Sequence, residues 1–180
     1  MRIAIHQPNF FPHSGFFDKM KEVDLFVLLT FCQFEKNNYQ NRFNVDDKWH
    51  TMSVLSGNYP IIAKMYNKPQ EDWNKIKVNL PDYDLTEFDE CIAKPLATTN
   101  IDIIRKIAKK LGIKTEIVLD YPTELTATDR LVDICKTHKA TTYLSGISGI
   151  NYMDLEAFER EGVKVEYQQK SASTPIIDLI

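Results

Sequence analysis

The sequence predicts an α/β fold built on a mainly parallel, three-layer sheet, and three observations predict it. Short apolar runs alternate with helical patterns of ten or so residues along most of the chain. The run Leu25 to Leu29 is continuously apolar, as a strand covered on both faces requires. Polar residues cluster directly after two of the strand-like runs, where open parallel sheets bind ligands.

Each element follows in order. Arg2 to Gln7 is a strand that stops at Pro8-Asn9, and Gly15 to Met20 begins a helix. Asp24 to Leu29 is the second strand, giving β-α-β at the start. Gln40 to Asn44 and Lys48 to Val54 flank the polar turn Val45-Asp46-Asp47, which predicts an inserted β-hairpin carrying Trp49. Gly57 to Asp84 loses its period around Pro60, Pro69 and Pro81 and reads as loop with short helix. Ile101, Ile103, Ile104, Ile107, Ala108 and Leu111 keep helical spacing, with Asn100 as N-cap and Gly112 as the residue past the end. Thr115 to Leu119 is a strand, Thr128 to His138 a helix and Thr141 to Leu144 a strand. Leu155 to Glu161 is a helix ending at Gly162, and Val163 to Tyr167 the last strand. The polar segment Ser171 to Pro175 leads to Ile176-Ile177-Asp178-Leu179-Ile180, which docks on the body or adds an edge strand. No linker or repeat divides the chain, so a single domain over residues 1–180 is expected.

Composition narrows the function classes. With 43% hydrophobic residues the chain can bury about 70% of the surface it exposes when unfolded. A net charge of −3 argues against a binder that grips nucleic acid by neutralising many phosphates, and leaves nucleic acid only as a substrate for modification. No apolar run is long enough to span a membrane and no signal peptide is evident, so a cytoplasmic protein is expected. Cys32, Cys91 and Cys135 form no Cys-x-x-Cys pair, so reduced thiols are expected and no metal site.

Three segments carry candidate chemistry. The first is His6 to Gly15, where His6 and His13 are candidate proton-transfer groups and Gln7 and Asn9 candidate polar contacts. The start of the following helix would offer N–H groups to an anion. The second is Ser145-Gly146-Ile147-Ser148-Gly149, whose paired glycines and hydroxyls suit a backbone nest for phosphate or carboxylate. A tight strand-to-helix turn is the plainer reading of the same loop. The third is Gln33 to Arg42, rich in side-chain amides, in which Lys36 and Arg42 are candidate phosphate contacts and Tyr39 a stacking surface. A solvated loop accounts for it equally well. His50 and His138 have no metal-ligand spacing, and Gly146-Ile147-Ser148-Gly149 misses the Gly-x-Ser-x-Gly elbow of a hydrolase by one residue.

Taken together, His6-Gln7-Pro8-Asn9-Phe10-Phe11-Pro12, Gly15-Phe16-Phe17-Asp18-Lys19, Gln33-Phe34, Gln40-Asn41-Arg42 and Thr142-Tyr143-Leu144-Ser145-Gly146-x-Ser148-Gly149-x-x-Tyr152 resemble the WbqC-like protein family. The resemblance runs nearly end to end. It implies that His6, Gln7, Asn9, Gln33, Asn41, Arg42, Ser145, Ser148 and Tyr152 share one site. It also implies a role in surface-polysaccharide or nucleotide modification, with an amino acid such as glycine joined to an amino sugar or a modified pyrimidine. Two positions depart from the family pattern: His13 replaces a tryptophan, and Thr30-Phe31 replaces acidic residues. The layout is also similar, by fold-level analogy, to Rossmann-like and nucleotidylyltransferase-like proteins, although His-x-Gly-His is absent.

The leading expectation is therefore a transferase joining an amino acid to a phosphate-bearing acceptor, with a nucleotide-linked amino sugar or modified pyrimidine nucleotide as acceptor. His6 or His13 would be the base, and Lys36, Arg42 and the Ser145 to Gly149 loop would neutralise phosphate. ATP or a pyrophosphate-bearing substrate fits as the co-substrate, and a homo-oligomer is compatible with the sequence. The competing expectation is a non-catalytic nucleotide or sugar-nucleotide binding protein of such a pathway. A glycosyltransferase is disfavoured by the short chain.

Overall fold

In strand β1 (Arg2–His6), Ile3 and Ile5 pack into one hydrophobic core and Ala4 into another, and all three are buried. Successive strand side chains point to opposite faces, so burial of all three requires packing on both sides of the sheet. The structure, a computed structural model that describes residues 1–151, 153–169 and 174–180, supplies both layers. Helix α1 (Ser14–Lys21) contributes Phe16, Phe17 and Met20 to the core that holds Ala4, the first core, followed by β2 (Leu25–Leu28), buried throughout; Ile3 and Ile5 belong to the second.

The hairpin is a separate two-stranded antiparallel sheet of β3 (Arg42–Val45) and β4 (Lys48–Thr51). Its turn is shorter than the sequence suggested, since Val45 belongs to β3 and is buried. Asp46 and Asp47 alone make the link, with φ of 50° and 60°. That pair of left-handed residues matches the strand twist, as in a type I′ turn.

Within the segment expected to be irregular, α2 (Pro69–Asn79) starts on a proline, whose missing N–H costs nothing at the first helical position. Helix α3 (Leu96–Lys110) corrects the expected cap. It is capped by Pro95, five residues earlier than the apolar spacing implied, and Asn100 lies fully buried inside it. The Asn100 Nδ2 donates to the carbonyls of Pro8 and Gln40, 2.7 Å each, and Oδ1 accepts from the Tyr66 hydroxyl at 2.9 Å. This one amide joins the loop after β1 to the amide-rich loop, and every one of its hydrogen-bonding groups has a partner.

The chain continues through β5 (Glu116–Leu119), α4 (Ala127–Thr137), β6 (Thr142–Ser145), α5 (Leu155–Arg160) and β7 (Lys164–Tyr167). Val132, Ile134 and Cys135 of α4 and Ala157 and Phe158 of α5 pack on the second core with Ile3 and Ile5. The C-terminal apolar segment docks, with Ile176 and Ile177 buried in a short 3₁₀ turn against the first core, and adds no strand. Ser171 to Ser173 lie outside the described residues.

The main sheet has the order β5-β2-β1-β6-β7 with every neighbouring pair parallel. The chain builds outward from β1 through β2 to β5, then returns to the other side of β1 with β6 and β7. This reversal makes the carboxyl ends of β1 and β6 the topological switch point, where a crevice opens because the connections leave in opposite directions. Among the described residues, no helix is long and apolar enough to cross a membrane.

Candidate functional site

The switch point holds a cavity of about 250 Å³. His6 at the end of β1 and Gly146, Ile147 and Ser148 after β6 line it, with His13, Gly15, Phe16 and Lys19 from α1 and its lead-in and Gln168 and Gln169 beyond β7. Four candidate residues thus converge as expected: His6, His13, Gly146 and Ser148.

The loop that delivers the histidines is set by its aromatic residues. Phe10 and Phe11 are both buried, and Phe11 adopts a left-handed φ of 44°, a cost that persists because the core holds it. Its ring stacks on Trp73 at 5.6 Å and meets Phe88 edge-on at 5.0 Å. The chain is thereby turned so that His13 arrives as the N-cap of α1 with a side chain that caps nothing.

The His6 Nδ1 lies 2.9 Å from the carbonyl of Gln7. A carbonyl only accepts, so Nδ1 carries the hydrogen and Nε2 is left with its lone pair. Burial, then Lys19, drives the His6 pKa from 6.5 down to about 3, and its imidazole is neutral at pH 7. His13 sits exposed at the rim; partial desolvation and then Lys19 lower its pKa, while Asp18 works the other way.

Lys19 is the residue that sequence reasoning missed. It is only 3% exposed, lines the cavity and has neither a carboxylate nor a hydrogen-bond partner among the described residues. Its Nζ has a ring contact 5.9 Å from the Phe26 centroid, and burial pushes its pKa from 10.5 down to about 8. A sequence signal existed: Lys19 stands four residues after Gly15 and three after Phe16, on the helical face of residues that meet the cavity.

The loop after β6 departs from the expected nest. Neither Gly146 nor Gly149 has the positive φ that a nest of this kind alternates, and Ile147–Asn151 winds into a short 3₁₀ helix instead. The Ser145 hydroxyl turns inward, donating to the Gly146 carbonyl at 3.0 Å. Gly149 packs so tightly on Ser145 that a Cβ would collide with Oγ. Gly149→Ala is expected to cost about 1–3 kcal/mol and to displace the loop, as measured by urea denaturation. The α1 start is also partly spent, because Ser14 N–H donates to the Thr174 carbonyl at 3.0 Å and Phe16 N–H to that of His13. Tyr152 lies outside the described residues.

The remaining candidates are engaged elsewhere. Gln7 accepts from Gln40 Nε2 at 2.6 Å and donates to Cys32 Sγ at 3.4 Å, and Asn9 is buried. Asn41 donates to the Met52 carbonyl at 2.7 Å, and Gln33 to that of Tyr59 at 2.9 Å. Arg42, expected to grip phosphate, instead lies on the Trp49 ring, 4.0 Å from its centroid, and donates to the Asn37 carbonyl. Lys36 is exposed on the surface and lines neither hollow.

A second hollow of about 240 Å³ borders the first, and His13 lines both. Its walls are Phe11, Tyr39, Phe43 and Trp49, with Asn44 and Asp47 as polar groups. Tyr39 thus meets a pocket as expected. A larger hollow, about 760 Å³ along α3, is lined in part by ion-paired lysines and glutamates and takes no residue from a strand end.

An acidic side chain from just past the end of β5 meets the residues that follow β2. Asp120 accepts from Thr30 N–H at 2.6 Å and the Thr30 hydroxyl at 2.8 Å, and pairs with Arg130, both side chains being buried. This carboxylate is structural. Asp84 is likewise a turn residue, accepting from the Thr86 N–H and hydroxyl. Cys32 and Cys135 are raised by burial to about 11 and about 12, as inert thiols should be. No group of three or more metal-ligating side chains occurs among the described residues.

Comparison with known proteins agrees with this architecture of shared blocks. An uncharacterized protein, Rv1507c, of Mycobacterium tuberculosis (strain ATCC 25618 / H37Rv) is 27% identical over 193 residues, covering 92% of this chain and 81% of the relative. No solved structure matches. The WbqC-like protein family matches residues 7–81 and 82–175, spanning both the His6 loop and the Ser145 loop, and the chain belongs to that family.

Proposed function

We propose that the protein is a transferase that joins an amino acid to a phosphate-bearing acceptor, a nucleotide-linked amino sugar or a modified pyrimidine nucleotide. The observation that carries this reading is His13, which stands at the rim shared by a cationic cavity and an aromatic hollow. Two adjoining pockets of single-ring size suit two small substrates brought together. The aromatic hollow takes the ring of the acceptor against Trp49 and Tyr39. Lys19 neutralises the phosphoryl group as it leaves, and the buried site strengthens that attraction.

In the step itself the amine nitrogen bonds the acceptor carbon, the bond from that carbon to the phosphoryl oxygen breaks, and the amine proton passes to His13. His13, its pKa lowered by partial desolvation and then Lys19, is free to accept it at pH 7. His6, with its pKa driven far lower, is the weaker base and serves as a hydrogen-bond acceptor. The test is mass spectrometry of the protein incubated with amino acids, ATP and candidate acceptors. A product that has gained the amino acid and lost the departing phosphoryl group as free phosphate is expected, and His13→Ala should lower the rate by roughly 10²–10⁴. No mass change on any acceptor would leave the binding-protein reading in its place.

A further inference from the structure

We infer that the cavity between β1 and β6 is a phosphate-selective oxyanion site, in which the Lys19 ammonium holds an ionised oxygen and the bare Nε2 of His6 accepts from a protonated one. Three placements lead there. The first is Lys19, nine-tenths buried and more, open to the cavity and without a carboxylate partner among the described residues. An ammonium withdrawn from water in this way is balanced only when an anion joins it.

The second is the tautomer of His6. Its Nδ1–H is committed to the Gln7 carbonyl, so Nε2 offers a lone pair to the cavity that His6 lines. An acceptor beside a cation asks for a ligand that is anionic at one oxygen and carries hydrogen at another. The third is the rest of the lining, where no carboxylate intrudes and the Ser148 hydroxyl has no partner of its own among the described residues. A hydroxyl serves either kind of oxygen.

Hydrogen phosphate meets all three demands near neutral pH, since it keeps one P–OH. Sulfate has the same shape and charge but no hydrogen, and its oxygens would face the His6 lone pair. The inference deepens the transferase reading by placing the phosphoryl group, yet it concerns binding alone and is read without turnover.

The test is calorimetric titration of the full chain at pH 7.5 with inorganic phosphate and, separately, with sulfate. One phosphate per chain is expected, with sulfate at least about tenfold weaker, the scale of one hydrogen bond lost and one repulsion gained. Lys19→Met should lose binding of both ions while retaining the circular dichroism of the folded protein. His6→Gln, whose amide supplies an N–H, should bring sulfate to within about threefold of phosphate. Equal affinities in the unaltered protein, absence of phosphate binding, or phosphate binding that survives Lys19→Met would overturn the assignment. If His6→Gln does not fold, the ion ratio and Lys19→Met still decide. Selective phosphate binding with no product in the mass-spectrometric assay would remove the transferase reading and leave this site standing.

Discussion

Lys19→Met is expected to stabilise the protein by about 3 kcal/mol at pH 7 while removing the proposed phosphate binding. The buried ammonium has a pKa near 8 against 10.5 for the ordinary side chain, and each unit of such a difference corresponds to about 1.4 kcal/mol. The unfolded chain therefore binds this proton more tightly than the folded one. Stability should rise with pH between about 8 and 10.5, and below pH 8 the full penalty is present. Methionine has nearly the same shape without the charge, so thermal unfolding should shift upward by roughly 6–12 °C. The rise between pH 8 and 10.5 should vanish in the variant. Thermal melts from pH 6 to 10.5 measure both effects, and a melting temperature that falls in Lys19→Met would show that the ammonium already has a partner. A charge kept where it weakens the fold is the signature of a residue retained for its ligand.

Asp120→Asn is expected to act in the opposite direction, destabilising the protein by about 3–5 kcal/mol. The Asp120 carboxylate accepts from the Thr30 N–H and hydroxyl and the Phe31 N–H while pairing with Arg130. An amide places an NH₂ donor against one of those donors and leaves the buried guanidinium uncompensated. Because Asp120 ties the end of β5 to the residues after β2, the substitution should loosen the edge of the sheet away from the cavity. Urea denaturation measures the loss. Replacing Arg130 by methionine in the same chain should recover much of it, since the unpaired charge goes with it. A loss below 1 kcal/mol, or no recovery in the double variant, would mean that the pair is solvated and structurally idle.

Reading the sequence gave the strands and helices in their order because each carries its own period. Val27 and Leu28 are apolar side by side, and only a strand covered twice accommodates that. The positions of His6, His13 and Ser148 were legible for a related reason. They follow strands directly, and the carboxyl edge of a parallel sheet is where ligands bind. Asn100 carries a strong local meaning, a helix cap, that distant partners override. The partners of Asn100 are Pro8, Gln40 and Tyr66, separated from it by 92, 60 and 34 residues, and no local pattern reports them.

Sequence alone thus determined the fold class, the strand ends at which chemistry gathers and the family blocks that span them, because hydrophobic period and chain order are local properties. Tertiary structure alone decided which cation meets the site. Arg42 is drawn onto Trp49, and Lys19, on an apolar helix face where a charge looks out of place, is carried beneath His6 by the packing of α1 on β1 and β2. Burial without a partner is a relation among distant residues, and it is that relation, rather than residue type, that singles out Lys19 as the candidate binding group.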